Sequence, residues 1–243
     1  MIAIITNNLT KQYKEKTAVK DLNISVEEGT LYAFLGLNGA GKTTTIKMLT
    51  GLIKPTSGTA KILSYDLNTN IDDIKKITSI SPQDSALALK LTVFENIEMM
   101  ALIYGLAKKD ALEKTNGLIK EFSLEEYKNK KCSTLSGGFQ RRVSIAMALV
   151  SEPKILFLDE PTLGLDVLAR RDMWNVIKDL KKKMTIILTT HYLEEAQNLA
   201  DTIGVISNGQ LLFQGNLVEI YNITKTNNLE DAFVKLCGGN KDE

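Results

Sequence analysis

Four short apolar runs bounded by turn residues stand out along the chain: IAIIT at the start, LYAFL over Leu31–Leu35, ILFL over Ile155–Leu158 and MTIILTT over Met184–Thr190. Consecutive apolar positions predict strands buried on both faces. Longer segments of helical spacing separate them, a pattern of parallel strands covered by helices, hence an α/β domain with its ligand edge at the strand ends. From about Thr92 to Val150 the rhythm changes to consecutive helices, TVFENIEMMALIYG, KKDALEKTNGLIKEF and FQRRVSIAMALV. An inserted helical subdomain at about 90–150 is therefore expected within a single domain spanning 1–243. In GVISNGQLLF, Asn208 and Gly209 lie between two alternating runs, the signal of a two-residue hairpin turn that closes the sheet. Beyond it NLVEIYNI and LEDAFVKLC predict short amphipathic helices in a tail at about 216–243.

Composition narrows the possibilities. With 243 residues, 44% hydrophobic and 24% charged, the chain is of ordinary globular make-up and can bury a sizeable core. Lys and Arg number 30 against 29 Asp and Glu, so no long-range field gathers nucleic acid, and no nucleic-acid partner is expected. The longest apolar stretches, such as Val143–Val150, are far shorter than the roughly 18–20 residues that cross a bilayer. The opening MIAIITNNL lacks the basic start and cleavage site of a secretory signal, so a cytoplasmic location is expected. Cys132 and Cys237 have no ligand-spaced Cys or His partner and read as ordinary thiols.

The chemistry begins where the strand Leu31–Leu35 runs into GLNGAGKT and then the helical TTIKMLTG. This is G-x-x-x-x-G-K-T in the strand–loop–helix context that makes it a phosphate cradle. Gly36, Gly39 and Gly41 let the backbone turn its N–H groups toward phosphate oxygens, and the helix N-terminus adds partial positive charge. Together Gly36, Leu37, Asn38, Gly39, Ala40, Gly41, Lys42, Thr43 and Thr44 are expected to bind nucleotide. Lys42 is expected to reach the β- and γ-phosphates and the Thr43 hydroxyl to bind Mg²⁺. ILFLDEP is a buried strand ending in two carboxylates and a proline. Asp159 is the expected second Mg²⁺ partner, and Glu160, pointing elsewhere, the group that polarises the attacking water. His191, the one histidine, follows the strand MTIILTT where the γ-phosphate should lie, and its imidazole can donate to phosphate oxygens.

Finally LSGGFQRR, Leu135–Arg142, precedes the helical VSIAMALV. Ser136, Gly137 and Gly138 at a helix start offer a hydroxyl, exposed N–H groups and a positive dipole end to an anion. The set of GLNGAGKT, Gln83 in SPQD, LSGGFQRR, ILFLDEP, the Leu165-Asp166 turn and His191 resembles the ATPase subunit of ABC transporters over nearly the whole chain.

That resemblance implies a P-loop NTPase core with a mostly parallel sheet, a small antiparallel β subdomain and the inserted helical subdomain. It implies ATP and Mg²⁺ as cofactors and a head-to-tail dimer in which Ser136–Gly138 of one copy close over the P-loop of the other. A separate membrane permease is the further partner, which would hold the chain at the inner face of the membrane. Tyr13 matches the adenine-stacking aromatic, Gln83 the glutamine that approaches Mg²⁺ and the attacking water, and Asp166 the loop that touches the opposite subunit. Leu37 stands where the family very often has proline, and Phe139 where many members have glutamine. Phe139, DEPTLGLD and TTHYLEEAQNLAD resemble the branch that exports drugs, antibiotics, polysaccharides or lipids. An importer ATPase is the alternative within transport, although many of those carry a long regulatory domain after the histidine. A soluble ABC machine is the alternative outside it, and the coiled-coil insertion or doubled core typical of many such machines is not seen. The closing NKDE lacks the N-K-x-D spacing that reads guanine.

Overall fold

The computed structural model describes residues 1–238; the last five residues of the expected tail, with the whole NKDE segment, lie outside the described residues. In chain order the elements are β1 (Ile2–Tyr13), β2 (Lys16–Leu22), β3 (Ser25–Glu27), β4 (Leu31–Leu35), α1 (Lys42–Leu49), β5 (Ser57–Ile62), β6 (Tyr65–Asp66), α2 (Ile71–Ile77) and β7 (Thr78–Ser81). Next come α3 (Val93–Ile103), α4 (Lys108–Glu121), α5 (Gly137–Ala148), β8 (Ile155–Asp159), α6 (Val167–Lys181), β9 (Thr185–Thr190), α7 (Leu193–Leu199), β10 (Thr202–Ser207), β11 (Gln210–Gly215), α8 (Leu217–Thr224) and α9 (Leu229–Gly238).

Six strands form the central sheet in the order β11-β10-β4-β9-β8-β7. β10, β4, β9, β8 and β7 run parallel, and β11 pairs antiparallel with β10 at one edge. The turn joining that pair holds Asn208 at φ 49° and Gly209 at φ 78°, the two left-handed residues that a tight hairpin requires. Alternate residues of the parallel strands enter two separate cores. Leu31, Ala33 and Leu35 of β4 join Leu156, Leu158, Ile186 and Leu188 under the helices of the 93–148 segment, α6 and α7. Tyr32, Phe34, Phe157 and Ile187 face α1, α2 and the second sheet instead. Burial of both faces explains why these strands read as unbroken apolar runs.

The second sheet is antiparallel, in the order β2-β1-β5-β6 with β3 also on β1. IAIIT belongs to it, as part of the longer β1, and not to the parallel sheet that its apolar run suggested. Ala3 and Ile4 are buried while Ile2 and Ile5 are exposed, so one face of the strand meets solvent.

The central sheet places four loops at its carboxyl edge: Gly36–Gly41 after β4, Pro82–Gln83 after β7, Glu160 after β8 and His191 after β9. This is the edge where ligands bind in open α/β sheets. α3 starts with a complete Thr92/Glu95 capping box and α6 is capped by the Asp166 carboxylate, which accepts from the Ala169 N–H at 2.9 Å. α5 starts differently: its N-cap Ser136 makes no side-chain hydrogen bond to the helix, among the described residues.

Candidate functional site

The loop after β4 has the shape a phosphate cradle needs, and glycine permits it at two decisive places. A Cβ on Gly36 would lie 2.3 Å from the Ile206 carbonyl oxygen, and one on Gly41, at φ 108°, would lie 2.6 Å from the Ala18 carbonyl oxygen. Any side chain there would push the loop away from its supports. Gly41 is the N-cap of α1 and offers no side chain to its first N–H groups, so these donors are left for an external acceptor.

Lys42 is 5% exposed. Its Nζ donates to the carbonyls of Gly36 at 2.7 Å and Leu37 at 3.2 Å, and lies 3.1 Å from Glu160 Oε1. Glu160 Oε2 is 2.8 Å from His191 Nδ1. Both oxygens of this buried carboxylate therefore have a partner, which fixes its direction.

Glu160 has φ 49°, a conformation disfavoured for a side-chain-bearing residue and more so before Pro161. Its N–H is shared between the Thr189 carbonyl at 3.1 Å and the Thr189 hydroxyl at 3.0 Å, contacts that hold the strained backbone in place. The turn swings the Glu160 side chain away from its neighbour. Asp159 instead accepts from the hydroxyls of Thr43 at 3.2 Å and Thr189 at 2.5 Å.

A cavity of about 510 Å³ opens over these groups, lined by Tyr13, Lys16, Ala18, Asn38, Gly39, Ala40, Gly41, Lys42, Thr43, Thr44, Gln83, Glu160 and Leu163. Nine expected loop, aromatic and glutamine positions and the Glu160 carboxylate thus share one space. Tyr13 is 46% exposed at its rim, with Lys11 Nζ 5.1 Å from the ring centroid. Gly36 and Leu37 contribute carbonyls beneath it, while the Leu37 side chain is exposed. Asp159 and His191 do not line this cavity: Asp159 reaches it through Thr43 and His191 through Glu160, and His191 borders a different cavity with Arg170, Tyr192 and Glu194.

Ser136, Gly137, Gly138 and Asp166 do not line the 510 Å³ cavity. Ser136 and Gly137 are exposed, and the Gly138 position packs toward Ala169 near the start of α6. Phe139 turns to its own helical segment. Its ring lies 4.1 Å from that of Tyr127 and the Arg142 guanidinium sits 5.6 Å from its centroid.

Three contributors went unread in the sequence. Thr189 serves both Asp159 and Glu160, and the signal for it was a polar pair closing an otherwise apolar strand. Arg141, 5% exposed, sends its guanidinium to backbone carbonyls beside the site. Glu195 is fully buried and accepts from Trp174 Nε1 at 3.2 Å. Burial holds its carboxyl above the usual carboxylate range, and the charge of Glu160 pushes the same way.

Comparison with known proteins matches residues 19–163 to the family described as ABC transporter. The daunorubicin/doxorubicin resistance ATP-binding protein DrrA of Streptomyces peucetius is 39% identical over 219 residues, which cover 90% of this chain and 66% of that protein. The phospholipid-transporting ATPase ABCA3 of Homo sapiens is 41% identical over 82% of this chain but only 12% of its own length. The chain spans about a quarter or less of the A-family relatives it matches. Among solved structures, an ATP-binding subunit of an ABC transporter superposes with a TM-score of 0.84 at 30% identity, covering 96% of this chain and 99% of that one. The dimeric ATP-binding cassette MJ0796, in a post-hydrolysis state with ADP and Pi, gives 0.79 at 28% identity over 88% of this chain and 98% of its own. With its P-loop NTPase fold and its matched motifs, the chain belongs to the ABC transporter family, in the ATP-binding part of that family.

Proposed function

We propose that this chain hydrolyses ATP and, as one of a pair of such subunits, powers an exporter whose membrane-spanning part is a permease. The observation that carries the reading is the run of contacts joining Lys42, Glu160 and His191, beside the Thr43–Asp159 pair, at a cavity that Lys42, Thr43 and Glu160 line. Tyr13 stacks on adenine at the rim, a contact that uses the face of the base and not its edges. The backbone N–H groups of Gly39–Thr44 and the Lys42 ammonium take the phosphates, Lys42 exchanging its contact with Glu160 for the γ-phosphate. Water attacks the γ-phosphorus, the bond to the leaving ADP oxygen breaks, and Glu160 accepts the proton of the water. Gln83 orients that water and His191 donates to the phosphoryl oxygens.

Magnesium fits the donor set. Thr43 and Asp159 already meet through oxygen atoms at 3.2 Å and Gln83 shares the cavity, a hard-oxygen environment suited to that cation. These three residues would hold it, and when bound it neutralises phosphate charge. Ser136, Gly137, Gly138 and Asp166 act on the nucleotide of the second subunit, so that ATP joins the two and its hydrolysis releases them.

The permease is gripped at an apolar cleft of about 480 Å³ between β7 and the helical segment. Leu52, Ile80, Pro82, Met100, Tyr104 and Met147 line it, and it lies directly beside Gln83. The export direction rests on the drug-resistance and phospholipid-transporting relatives. The subunit would then sit on the cytoplasmic face of the membrane; among the described residues no helix is long and apolar enough to cross one. The whole chain acts as one ATPase domain, with its helical subdomain at about 90–150 and its helical tail from about 216.

Glu160→Gln tests the chemistry: turnover should fall by at least about 10²-fold, the scale of a lost general base, while ATP binding persists and the dimer accumulates with ATP. Parental turnover in this variant removes Glu160 from its role. The transport half is tested by tagging the chain in its own cells and identifying what co-purifies after gentle solubilisation. A stoichiometric polytopic membrane protein supports it. Recovery with ribosomal or other cytosolic partners alone overturns it and leaves the ATPase standing.

A further inference from the structure

Arg141 lies on the second turn of α5, just beyond Gly137 and Gly138, and its guanidinium is buried. Its donors run to three backbone carbonyls from two other segments: Nη1 to Pro82 O at 2.5 Å, Nη2 to Gln83 O at 2.6 Å and Nη2 to Glu160 O at 3.4 Å. Taking a guanidinium out of water is costly unless its N–H groups are satisfied and opposite charge lies near. Here the carbonyls satisfy the donors, while Asp159, Asp84 and Glu195 act on the charge through space against the effect of burial. The fork of an arginine is planar and rigid, so two strong bonds from one head fix the Pro82–Gln83 peptide in direction as well as in distance.

We propose that Arg141 is a positioning residue for the hydrolysis reaction. It clamps the backbone of Gln83 and the strained turn at Glu160 to the helix that begins at Ser136–Gly138. Movement of that helix start is therefore passed to Gln83 and to the Glu160 turn through one rigid link, and without that link the two lose their fixed spacing. Misplacement of a reacting group by about 1 Å can cost about 10²-fold in rate, whereas the backbone N–H groups of Gly39–Thr44 belong to the loop after β4, to which Arg141 makes no hydrogen bond among the described residues. Its loss should therefore appear in kcat and not in KM.

The test uses the full chain with Mg-ATP and compares kcat and KM for Arg141→Gln and Arg141→Lys, each alone and with Gln83→Ala. Arg141→Gln should lose at least about 10-fold in kcat with KM for ATP unchanged within about twofold, and Arg141→Lys, which keeps the charge without the fork, should recover part of it. If Arg141→Gln does not fold, Arg141→Lys carries the comparison. In the Gln83→Ala background the Arg141→Lys loss should shrink to less than half its size in free-energy terms, because the two act through one element. A kcat unchanged within about twofold, or losses that multiply fully in the double variant, overturns the proposal. The inference rests on the reading of Glu160 and Gln83 above. An inactive parent chain defeats that reading, while an active parent with indifferent Arg141 variants defeats only the inference.

Discussion

Two glycine-bearing helix starts in this chain are built on the same chemistry and treated in opposite ways. At the start of α1, Gly36 and Gly41 press against Ile206 and Ala18, the Lys42 ammonium is paired with Glu160, and a cavity encloses the free N–H groups. At the start of α5, Ser136 and Gly137 are exposed, Ser136 caps nothing among the described residues, and neither residue lines the cavity. The first is a site complete within one chain. In the proposed dimer the second is half a site, whose donors would find an acceptor when another copy supplies the phosphate. Completeness, and not motif quality, separates them.

The sharpest way to break this comparison is Ser136→Glu. A carboxylate at a helix start favours the helix and no capping bond is lost, so folding and ATP binding by the chain should change little, with affinity kept within about twofold. Turnover should nevertheless fall by about 10²-fold, the scale of a removed transition-state donor. A variant that also loses ATP affinity would place Ser136 at the cavity of its own chain.

Lys42→Ala should act at the other site, lowering ATP affinity by about 10- to 100-fold, as expected for lost charge-assisted hydrogen bonds. Isothermal titration reads this directly, and unchanged affinity would count against the cradle. Mixing Lys42→Ala with Ser136→Glu, at an ATP concentration that leaves the Lys42→Ala chain unfilled, then sharpens the contrast. Random pairing puts half of the dimers in hybrid form, each with one intact composite site, so about a quarter of parental turnover should return. No recovery means that both surfaces must lie in one chain.

The smallest effect concerns Glu195, which belongs to neither helix start but stands behind the complete one. Its carboxyl is raised in the folded state from a reference of 4.5, so the folded chain binds more protons there than the unfolded one. Stability from this group is then fully present below about 4.5 and declines as pH rises toward the folded value. Glu195→Gln keeps an acceptor for Trp174 and should flatten the decline, visible as a smaller change of Tm with pH than in the parent. Identical pH slopes would show that the fold does not raise this carboxyl.

Much of this could be read from the sequence because the decisive signals are local. β4 coincides with the run Leu31–Leu35, the helices from Val93 to Ala148 follow their apolar spacing, and the hairpin stands at Asn208–Gly209. The strands without a clear signal are those with one face in solvent or with buried polar residues. On the antiparallel sheet KTAVKDL buries only Val19 and Leu22, and SGTAKI only Ala60 and Ile62, while TSIS of β7 buries Thr78, Ser79 and Ser81, where Ser81 Oγ finds Ser144 Oγ at 2.9 Å. The roles of Thr189 and Arg141 were illegible for a related reason. Each is defined by carbonyls or carboxylates that arrive from distant segments, which no spacing along the chain records. The substitution of Phe139 for the usual glutamine was visible, but its stacking on Tyr127 was not.

The hairpin at Asn208–Gly209 carries a consequence for how the protein comes into being. Its Gly209 N–H donates to the Ala40 carbonyl at 2.9 Å and its carbonyl accepts from the Lys20 N–H at 2.8 Å, so a turn from late in the chain buttresses both the phosphate loop and the wall beside it. Contacts between such remote positions form slowly, because a long loop must close before they repay its lost freedom. A nascent chain can therefore hold the complete GLNGAGKT motif long before it has a working cradle. The protein becomes competent for nucleotide only as its last sheet edge zips into place.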